Sequence, residues 1–248
     1  MTLYHHFDDE CSNYNQLLEC FERIKNGEPF QYVIEKAHFI DLVFYVNKYV
    51  LIPRQETEEL VIGTKVMIDK MLPLKTLTIA DVCTGSGVIG LYMKKLYPSA
   101  EVYLSDIDEK CLAVAKKNGE MHHLSVKYLQ GDLLQPIIEK GIKLDVLVCN
   151  PPYIGSKETI DEQVWKYEPH KALLAEPKTK YYEEIFKVAD QVMKPDSILA
   201  FEIGEDMEDE ICALVEYYFP NSAYKLAKDM YGKLRFLYIM IKEDGNYA

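Results

Sequence analysis

The sequence lacks long apolar runs, and this absence excludes one class of protein. The longest runs, such as LDVLVC and SILAF, are far shorter than the ~20 residues that a membrane-spanning helix needs. The opening residues, MTLYHHFDDE, have neither the basic region nor the apolar centre of a signal peptide. These features predict a soluble, cytoplasmic protein without membrane contact.

Paired-cysteine motifs are also missing. The six cysteines are scattered without a CxxC pair, which favours reduced thiols over disulfides or zinc. The histidine pairs His5-His6 and His122-His123 have no partner at ligand spacing. We interpret them as surface histidines and predict no metal site.

Basic residues are few relative to acidic ones. Lys and Arg number 28 against 40 Asp and Glu, which gives a formal net charge of -12. Because affinity for nucleic acid comes largely from neutralising phosphates, such an acidic chain is a poor generic binder of DNA or RNA. We therefore expect no direct nucleic-acid partner.

From residue 76 onward, the chain alternates short β-branched runs with amphipathic stretches. This βαβ rhythm predicts an α/β fold with a parallel sheet covered on both faces. Two strand-like segments joined by the turn MYGK close the chain, so one antiparallel strand is expected near an edge of the sheet.

The region upstream predicts a short helix and a β-hairpin over residues 1–53, attached to a larger domain over residues 54–248. SNYNQLLECFERIKN has helical periodicity, NGEPF interrupts it, and AHFIDLVFYVNKYVLIP is typical of a hairpin. Thr57 is expected to cap the following helix, with Glu58 and Glu59 in its first turn.

A glycine-rich stretch, DVCTGSGVIG, contains the pattern G-x-G-x-x-G from Gly85 onward between a predicted strand and helix. Asp106 follows about twenty residues later, which matches the dinucleotide fingerprint, whose acid binds ribose hydroxyls. S-Adenosylmethionine enzymes use the same arrangement, and Asp81 before the loop favours this cofactor over NAD. We prefer Asp106 to Asp108 as the functional acid because it lies closer to the strand end.

The motif NPPY follows the buried run LDVLVC and places an unionisable polar side chain before two prolines. Pro151 restricts the residue before it, so Asn150 is held extended. Neither proline nitrogen donates a hydrogen bond, which leaves the Asn150 side-chain oxygen and the Pro151 carbonyl as acceptors. These acceptors fit a substrate NH2 group, whose nitrogen they align for methyl transfer while stabilising its developing positive charge. Tyr153 is expected to stack on the planar amide or base.

Together, LIPRQETEELV, DVCTGSGVIGL, NPPYI, YEPHKAL, FEIG and DMYGKLR resemble the release factor glutamine methyltransferases, the HemK/PrmC family of protein-(glutamine-N5) methyltransferases. LIPRQETE with a downstream NPPY separates this family from adenine-N6 methyltransferases, which share only the NPPY-type loop. The resemblance implies a Rossmann-like class I methyltransferase with a seven-stranded, mostly parallel sheet. The implied cofactor is S-adenosyl-L-methionine, with S-adenosyl-L-homocysteine as product. The implied acceptor is a glutamine side-chain nitrogen in the Gly-Gly-Gln loop of a class I peptide-chain release factor.

The resemblance also implies roles for particular residues. The cofactor would be bound at its methionine end, ribose and adenine by Cys83, Thr84, Gly85, Ser86, Gly87, Asp106, Asp132, Leu133 and Asn150. The catalytic loop that holds the glutamine would comprise Asn150, Pro151, Pro152 and Tyr153. The same acceptor pocket would be bordered by Arg54, Glu56 and Thr57.

The sequence departs from the family pattern in places. Cys83 replaces the usual first loop glycine, a replacement that the loop would tolerate if the φ of Cys83 were negative. Gln55 stands where proline is usual. The N-terminal helical region is shorter than in the family, so recognition is expected to depend mostly on the acceptor loop. Two alternatives stay open: an adenine-N6 nucleic-acid methyltransferase and a non-catalytic cofactor-binding module.

Overall fold

The structure is a computed structural model that describes residues 14–73 and 76–242. The opening residues, Cys11 and the pair His5-His6 therefore lie outside the described residues. Nine helices are described: α1 (Tyr14–Lys25), α2 (Phe30–Val33), α3 (Gln55–Met71), α4 (Val88–Leu96), α5 (Glu109–Met121), α6 (Gln135–Glu139), α7 (Glu162–Tyr167), α8 (Lys180–Phe186) and α9 (Glu208–Tyr218). Within the described ranges, no helix is both long and apolar enough to cross a bilayer.

The strands form a two-stranded hairpin and a seven-stranded sheet. They are β1 (Lys36–Phe39), β2 (Leu42–Tyr45), β3 (Thr78–Val82), β4 (Glu101–Asp106), β5 (Lys127–Gln130), β6 (Leu144–Cys149), β7 (Met193–Glu202), β8 (Ala223–Lys228) and β9 (Leu234–Ile241). Short 3-10 turns cover Lys157–Thr159, His170–Ala172 and Ala189–Gln191.

The large sheet has the strand order β5-β4-β3-β6-β7-β9-β8. Strands β3 to β7 pair in parallel, whereas β9 is antiparallel to both of its neighbours. The predicted mostly parallel seven-stranded sheet, with an antiparallel strand beside one edge, is therefore confirmed. Strand order reverses at β3, so the segments after β3, β4 and β6 meet at the carboxyl edge of the sheet, where α/β proteins bind ligands.

Burial explains why the central strands pair in parallel. Every residue of β6 is buried, and four of the five residues of β3 are buried. A strand that is apolar along both faces requires cover on both faces, which the intervening helices supply. The sheet is thus a rigid platform, and the polar residues just beyond its strand ends are held in fixed positions.

The N-terminal hairpin packs onto this platform. Phe39 and Phe44 are fully buried and meet edge to face with ring centroids 6.0 Å apart, and Phe39 lies 6.1 Å from the ring of Tyr92 in α4. The buried Asn118 of α5 accepts from the Tyr45 backbone N–H at 2.7 Å. The hairpin expected from the sequence is present, and its side chains join the core of the larger unit. The domain boundary at residue 53 stays a prediction.

Candidate active site

The loop between β3 and α4 has the backbone that its glycines require. Gly85 and Gly87 have φ angles of 54° and 85°, in the left-handed region that favours glycine. A Cβ on Gly87 would also lie 3.0 Å from the Cβ of Ala115. A Cβ on Gly90 would lie 2.6 Å from Leu104, so α4 packs closely on the sheet. The loop therefore presents bare backbone at the carboxyl edge.

Asp81 supports this loop from below. It is completely buried, and its Oδ2 accepts hydrogen bonds from Thr84 Oγ1 and from Gly90 N at 2.8 Å. Its Oδ1 is buried with no hydrogen-bond partner among the described residues. Burial raises the pKa of Asp81 to about 7. Because Asp81 does not line the cavity described below, it acts on the loop's conformation.

The structure separates the two candidate ribose acids. Asp106 ends β4, and its carboxylate accepts from Gly85 N and Asp108 N, both at 2.9 Å. Burial raises the pKa of Asp106, with the two backbone hydrogen bonds opposing that shift. Asp108 instead caps α5 by accepting from Lys110 N. Asp106 thus ties the glycine loop to the neighbouring strand, while Asp108 serves a helix end.

A cavity of about 590 Å³ opens over the glycine loop. Eight of the nine predicted cofactor residues line it: Cys83, Thr84, Gly85, Ser86, Asp106, Asp132, Leu133 and Asn150. Gly87 lies outside its lining. The volume falls in the usual range for a small-molecule site, ~300 to 1,000 Å³. The structure therefore brings the predicted cofactor residues together around one ligand-sized space.

Cys83 does not have the negative φ under which a side chain at this loop position would be tolerated without strain. Its φ is 59°, in the left-handed region that favours glycine. The tight turn out of β3 requires this conformation even without glycine. A side chain there strains the backbone through its Cβ.

We expect Cys83→Gly to be more stable than Cys83→Ala by about 1 kcal/mol, because both variants lose the thiol but only glycine removes the Cβ strain. Urea unfolding of the two variants, followed by circular dichroism, measures this difference. If the two variants had equal urea midpoints and equal dependence of the free energy of unfolding on urea, the left-handed backbone at residue 83 would carry no strain.

Asn150 stands between the first cavity and a second of about 220 Å³. Arg54 and Asn150 line both cavities, and Tyr153 lines only the second. Pro152 lines the first cavity. Of the other predicted residues, Pro151 and Glu56 line neither one. The asparagine amide and the Arg54 guanidinium are therefore the polar groups at the junction of the two spaces.

Thr57 does not cap α3. The helix begins at Gln55 with Arg54 at the cap position, and no side chain caps it. Thr57 is instead buried in the first turn, where its hydroxyl donates to Glu202 Oε2 at 2.7 Å and accepts from Asn150 Nδ2 at 3.1 Å. The cap prediction is wrong because α3 starts earlier than the sequence pattern indicated. The prediction placed Thr57 before the first turn of α3, whereas the residue lies on the buried face of that turn.

Two acidic residues at the site were missed from the sequence. Glu202 ends β7, is 2% exposed, and accepts from Tyr153 OH at 3.1 Å through Oε1. Glu168 pairs with Arg54, with 2.6 Å between Oε1 and Nη2, and its Oε2 accepts from Ile52 N at 3.2 Å. The sequence did contain a signal. Glu168 lies between Tyr and Pro in YEPH, and Glu202 lies between Phe and Ile in FEIG. Such acids are buried only when paired.

Comparison with known proteins places the chain among methyltransferases. The family model described as the methyltransferase small domain matches residues 57–172. The release factor glutamine methyltransferase of Staphylococcus aureus is 37% identical over 215 residues, which cover 85% of this chain and 75% of that protein. The Clostridium acetobutylicum enzyme of the same name is 39% identical over 210 residues, covering 82% and 73%.

A solved structure shares the fold. The T. thermophilus 16S rRNA N2 G1207 methyltransferase, in complex with AdoMet and guanosine, superposes with a TM-score of 0.59 at 16% identity. The match covers 84% of this chain and 50% of that one. At this identity the likeness shows the class I methyltransferase fold alone.

Proposed function

The chain belongs to the release factor glutamine methyltransferases, and we propose that it transfers a methyl group from S-adenosylmethionine to a glutamine side-chain nitrogen of a peptide-chain release factor. The observation that carries this proposal is the position of Asn150 at the junction of the two cavities. One cavity suits the methyl donor and the other suits the acceptor.

The residues of the larger cavity fit S-adenosylmethionine. Left-handed Gly85 leaves open space above the loop, where a Cβ would meet nothing within 4 Å. Asp106 offers carboxylate acceptors to the ribose hydroxyls, since each of its oxygens has a lone pair beyond the one used by a backbone N–H. Asp132 and Leu133 would border the adenine. When bound, the cofactor supplies a methyl group activated by a sulfonium charge.

The protein's own contribution is alignment of the acceptor. An amide nitrogen is a weak nucleophile because its lone pair is delocalised. Asn150 Nδ2 is engaged by Thr57, and no described residue donates to Asn150 Oδ1, so that oxygen is available to accept from an NH2 group. Pro151 restricts the backbone of Asn150 and so fixes the position of this amide. A hydrogen bond to Asn150 Oδ1 would orient the acceptor nitrogen and stabilise positive charge as it develops there.

The lining of the smaller cavity suits a glutamine side chain. Its aliphatic members are Leu51, Ile154, Ile160, Val164, Ala172 and Leu173. These side chains would pack on the two methylene groups, while Asn150 and Tyr153 face the polar end. A cavity of about 220 Å³ admits a single side chain from a flexible protein loop. The Gly-Gly-Gln loop of a class I release factor has that character.

Adenine in nucleic acid also presents a planar NH2 group, and the fold does not exclude it, because the T. thermophilus neighbour acts on rRNA. A duplex would add phosphate contacts and base extrusion, which costs a few kcal/mol. A chain with net charge -12 offers little to offset that cost. Charge and family membership both favour a protein acceptor.

The decisive assay incubates the purified enzyme and methyl-labelled cofactor with a class I release factor, with its loop Gln→Ala variant, and with DNA. We expect label in the unmodified release factor and a loss of nearly all label in the variant, because the variant lacks the acceptor nitrogen. Label in DNA, or equal label in both forms of release factor, would overturn the assignment.

A further inference from the structure

A chain of hydrogen bonds runs behind Asn150 to a carboxylate that lies outside the predicted acceptor loop. Asn150 Nδ2 donates to Thr57 Oγ1 at 3.1 Å, and Thr57 Oγ1 donates to Glu202 Oε2 at 2.7 Å. Thr57 is 4% exposed and Glu202 is 2% exposed, so both contacts are shielded from solvent. The chain links the loop after β6, the first turn of α3 and the end of β7.

Only one direction of donation satisfies all three groups. A hydroxyl carries a single proton, and an ionised carboxylate only accepts. Thr57 therefore gives its proton to Glu202 and has only lone pairs left for Asn150. If the Asn150 amide were flipped, its oxygen would face those lone pairs without a hydrogen between them. The carboxylate thus determines which end of the amide faces Thr57.

We propose that Glu202, acting through Thr57, is a positioning residue that holds the Asn150 amide with its oxygen toward the acceptor nitrogen. This inference rests on the proposed function, in which the acceptor is a planar NH2 group. An unanchored amide would populate both orientations, and the flipped one would present hydrogens to the acceptor's hydrogens. The chain of three side chains removes that unproductive state before the acceptor binds.

Glu202 is itself held in place. Its Oε1 accepts from Tyr153 OH at 3.1 Å, and its backbone carbonyl accepts from Tyr182 OH at 2.7 Å. Arg235 of β9 contributes a favourable positive charge, and Glu56 of α3 contributes an unfavourable negative one. Both carboxylate oxygens are therefore engaged by hydroxyl donors, which fixes the carboxylate plane and the oxygen that faces Thr57.

The first test compares Thr57→Val with Thr57→Ser. Valine keeps the shape but removes the hydroxyl, so we expect kcat with release factor to fall about tenfold. Serine restores the hydroxyl and should recover most of that loss. Binding of S-adenosylhomocysteine, measured by calorimetry, should be nearly the same in both variants. A Thr57→Val enzyme with kcat within twofold of wild type would overturn the inference.

The second test replaces the carboxylate. Glu202→Gln offers one acceptor oxygen to two hydroxyl donors, so either Thr57 or Tyr153 loses its acceptor. We expect kcat to fall by a similar factor, and the double variant with Thr57→Val to be no slower than the slower single variant, because the two residues act in one chain. Multiplicative losses would show that Glu202 acts independently of Thr57. If Glu202→Gln does not fold, the valine and serine comparison still decides.

A pH profile supplies a signature that a purely structural role would not give. Burial raises the pKa of Glu202, against hydrogen bonds from Thr57 and Tyr153 and the charge of Arg235. Below that pKa the carboxyl becomes a donor, and Thr57 is free to donate to Asn150, which favours the flipped amide. The kcat of the wild-type enzyme at saturating cofactor should fall as the pH decreases through the pKa of Glu202. The Glu202→Gln variant should lack that fall.

The wild-type reaction separates the two hypotheses. If the unmodified enzyme does not label release factor, the proposed function fails, and the variants are not needed to show it. If it does label release factor while Thr57→Val and Glu202→Gln keep full kcat and the wild-type pH profile, only the positioning role fails.

Discussion

An Asn150→Ala enzyme is expected to turn over roughly 10²-fold or more slowly than the wild type, by analogy with losing one preorganised polar partner at a transition state. Alanine removes the oxygen that accepts from the acceptor NH2 group and leaves Thr57 without its donor. Single-turnover kinetics with saturating cofactor and release factor measure the loss directly.

Cofactor binding should change much less in this variant, because Asn150 is only one of many residues around the larger cavity. Ser156→Ala is the matched control: it removes a polar side chain from the same loop that lines neither cavity. Ser156 is half-buried and caps the short turn Lys157–Thr159, so its loss should cost stability, and we expect the rate of the variant to stay within about twofold of wild type. An Asn150→Ala rate within a few-fold of wild type would contradict the role of the amide.

Asp106→Ala should weaken S-adenosylhomocysteine binding by about 1.5 to 3 kcal/mol, the range for losing hydrogen bonds to a charged acceptor. Its carboxylate accepts from Gly85 N as well as from the expected ribose hydroxyls, so the variant loses both a ligand contact and a loop anchor. Isothermal titration calorimetry with S-adenosylhomocysteine measures the loss without turnover.

Asp108→Ala is the control for that experiment. Asp108 lines the same cavity, but its side chain caps α5. Its removal should lower the free energy of unfolding by about 1 kcal/mol, as for other N-cap losses. The effect on affinity should be smaller than that of Asp106→Ala. The reverse order of affinities would make Asp108 the ribose acid.

Local signals in the sequence were sufficient for the fold and for most of the residues that line the larger cavity. The βαβ alternation predicted the parallel sheet. The two strand-like segments joined by MYGK predicted the antiparallel strand. Glycine spacing gave a loop that does contain left-handed backbone. These features succeed because periodicity and turn chemistry depend on neighbouring residues, which a sequence displays directly.

Long-range polar contacts could not be obtained in this way. Thr57 and Glu202 are separated by 145 positions, and Arg54 and Glu168 by 114. Propensity placed Thr57 at a helix cap because threonine is common there, whereas the tertiary contact with Glu202 determines its actual place. Cys83 shows the same limit: only the turn out of β3 decides the sign of its φ.

Asn118 limits where a foreign N-terminal segment can be joined to this chain. Its amide nitrogen donates both to the Tyr45 carbonyl at 2.9 Å and to the Ser86 carbonyl at 2.8 Å, so one side chain joins the hairpin to the glycine loop. A chimaera joined at residue 53 would inherit a foreign hairpin and would have to rebuild that junction. A graft joined near Gly27 would meet fewer constraints, since α1 has no buried residue. A graft that keeps the hairpin with the larger unit is therefore expected to disturb the fold less than one joined at residue 53.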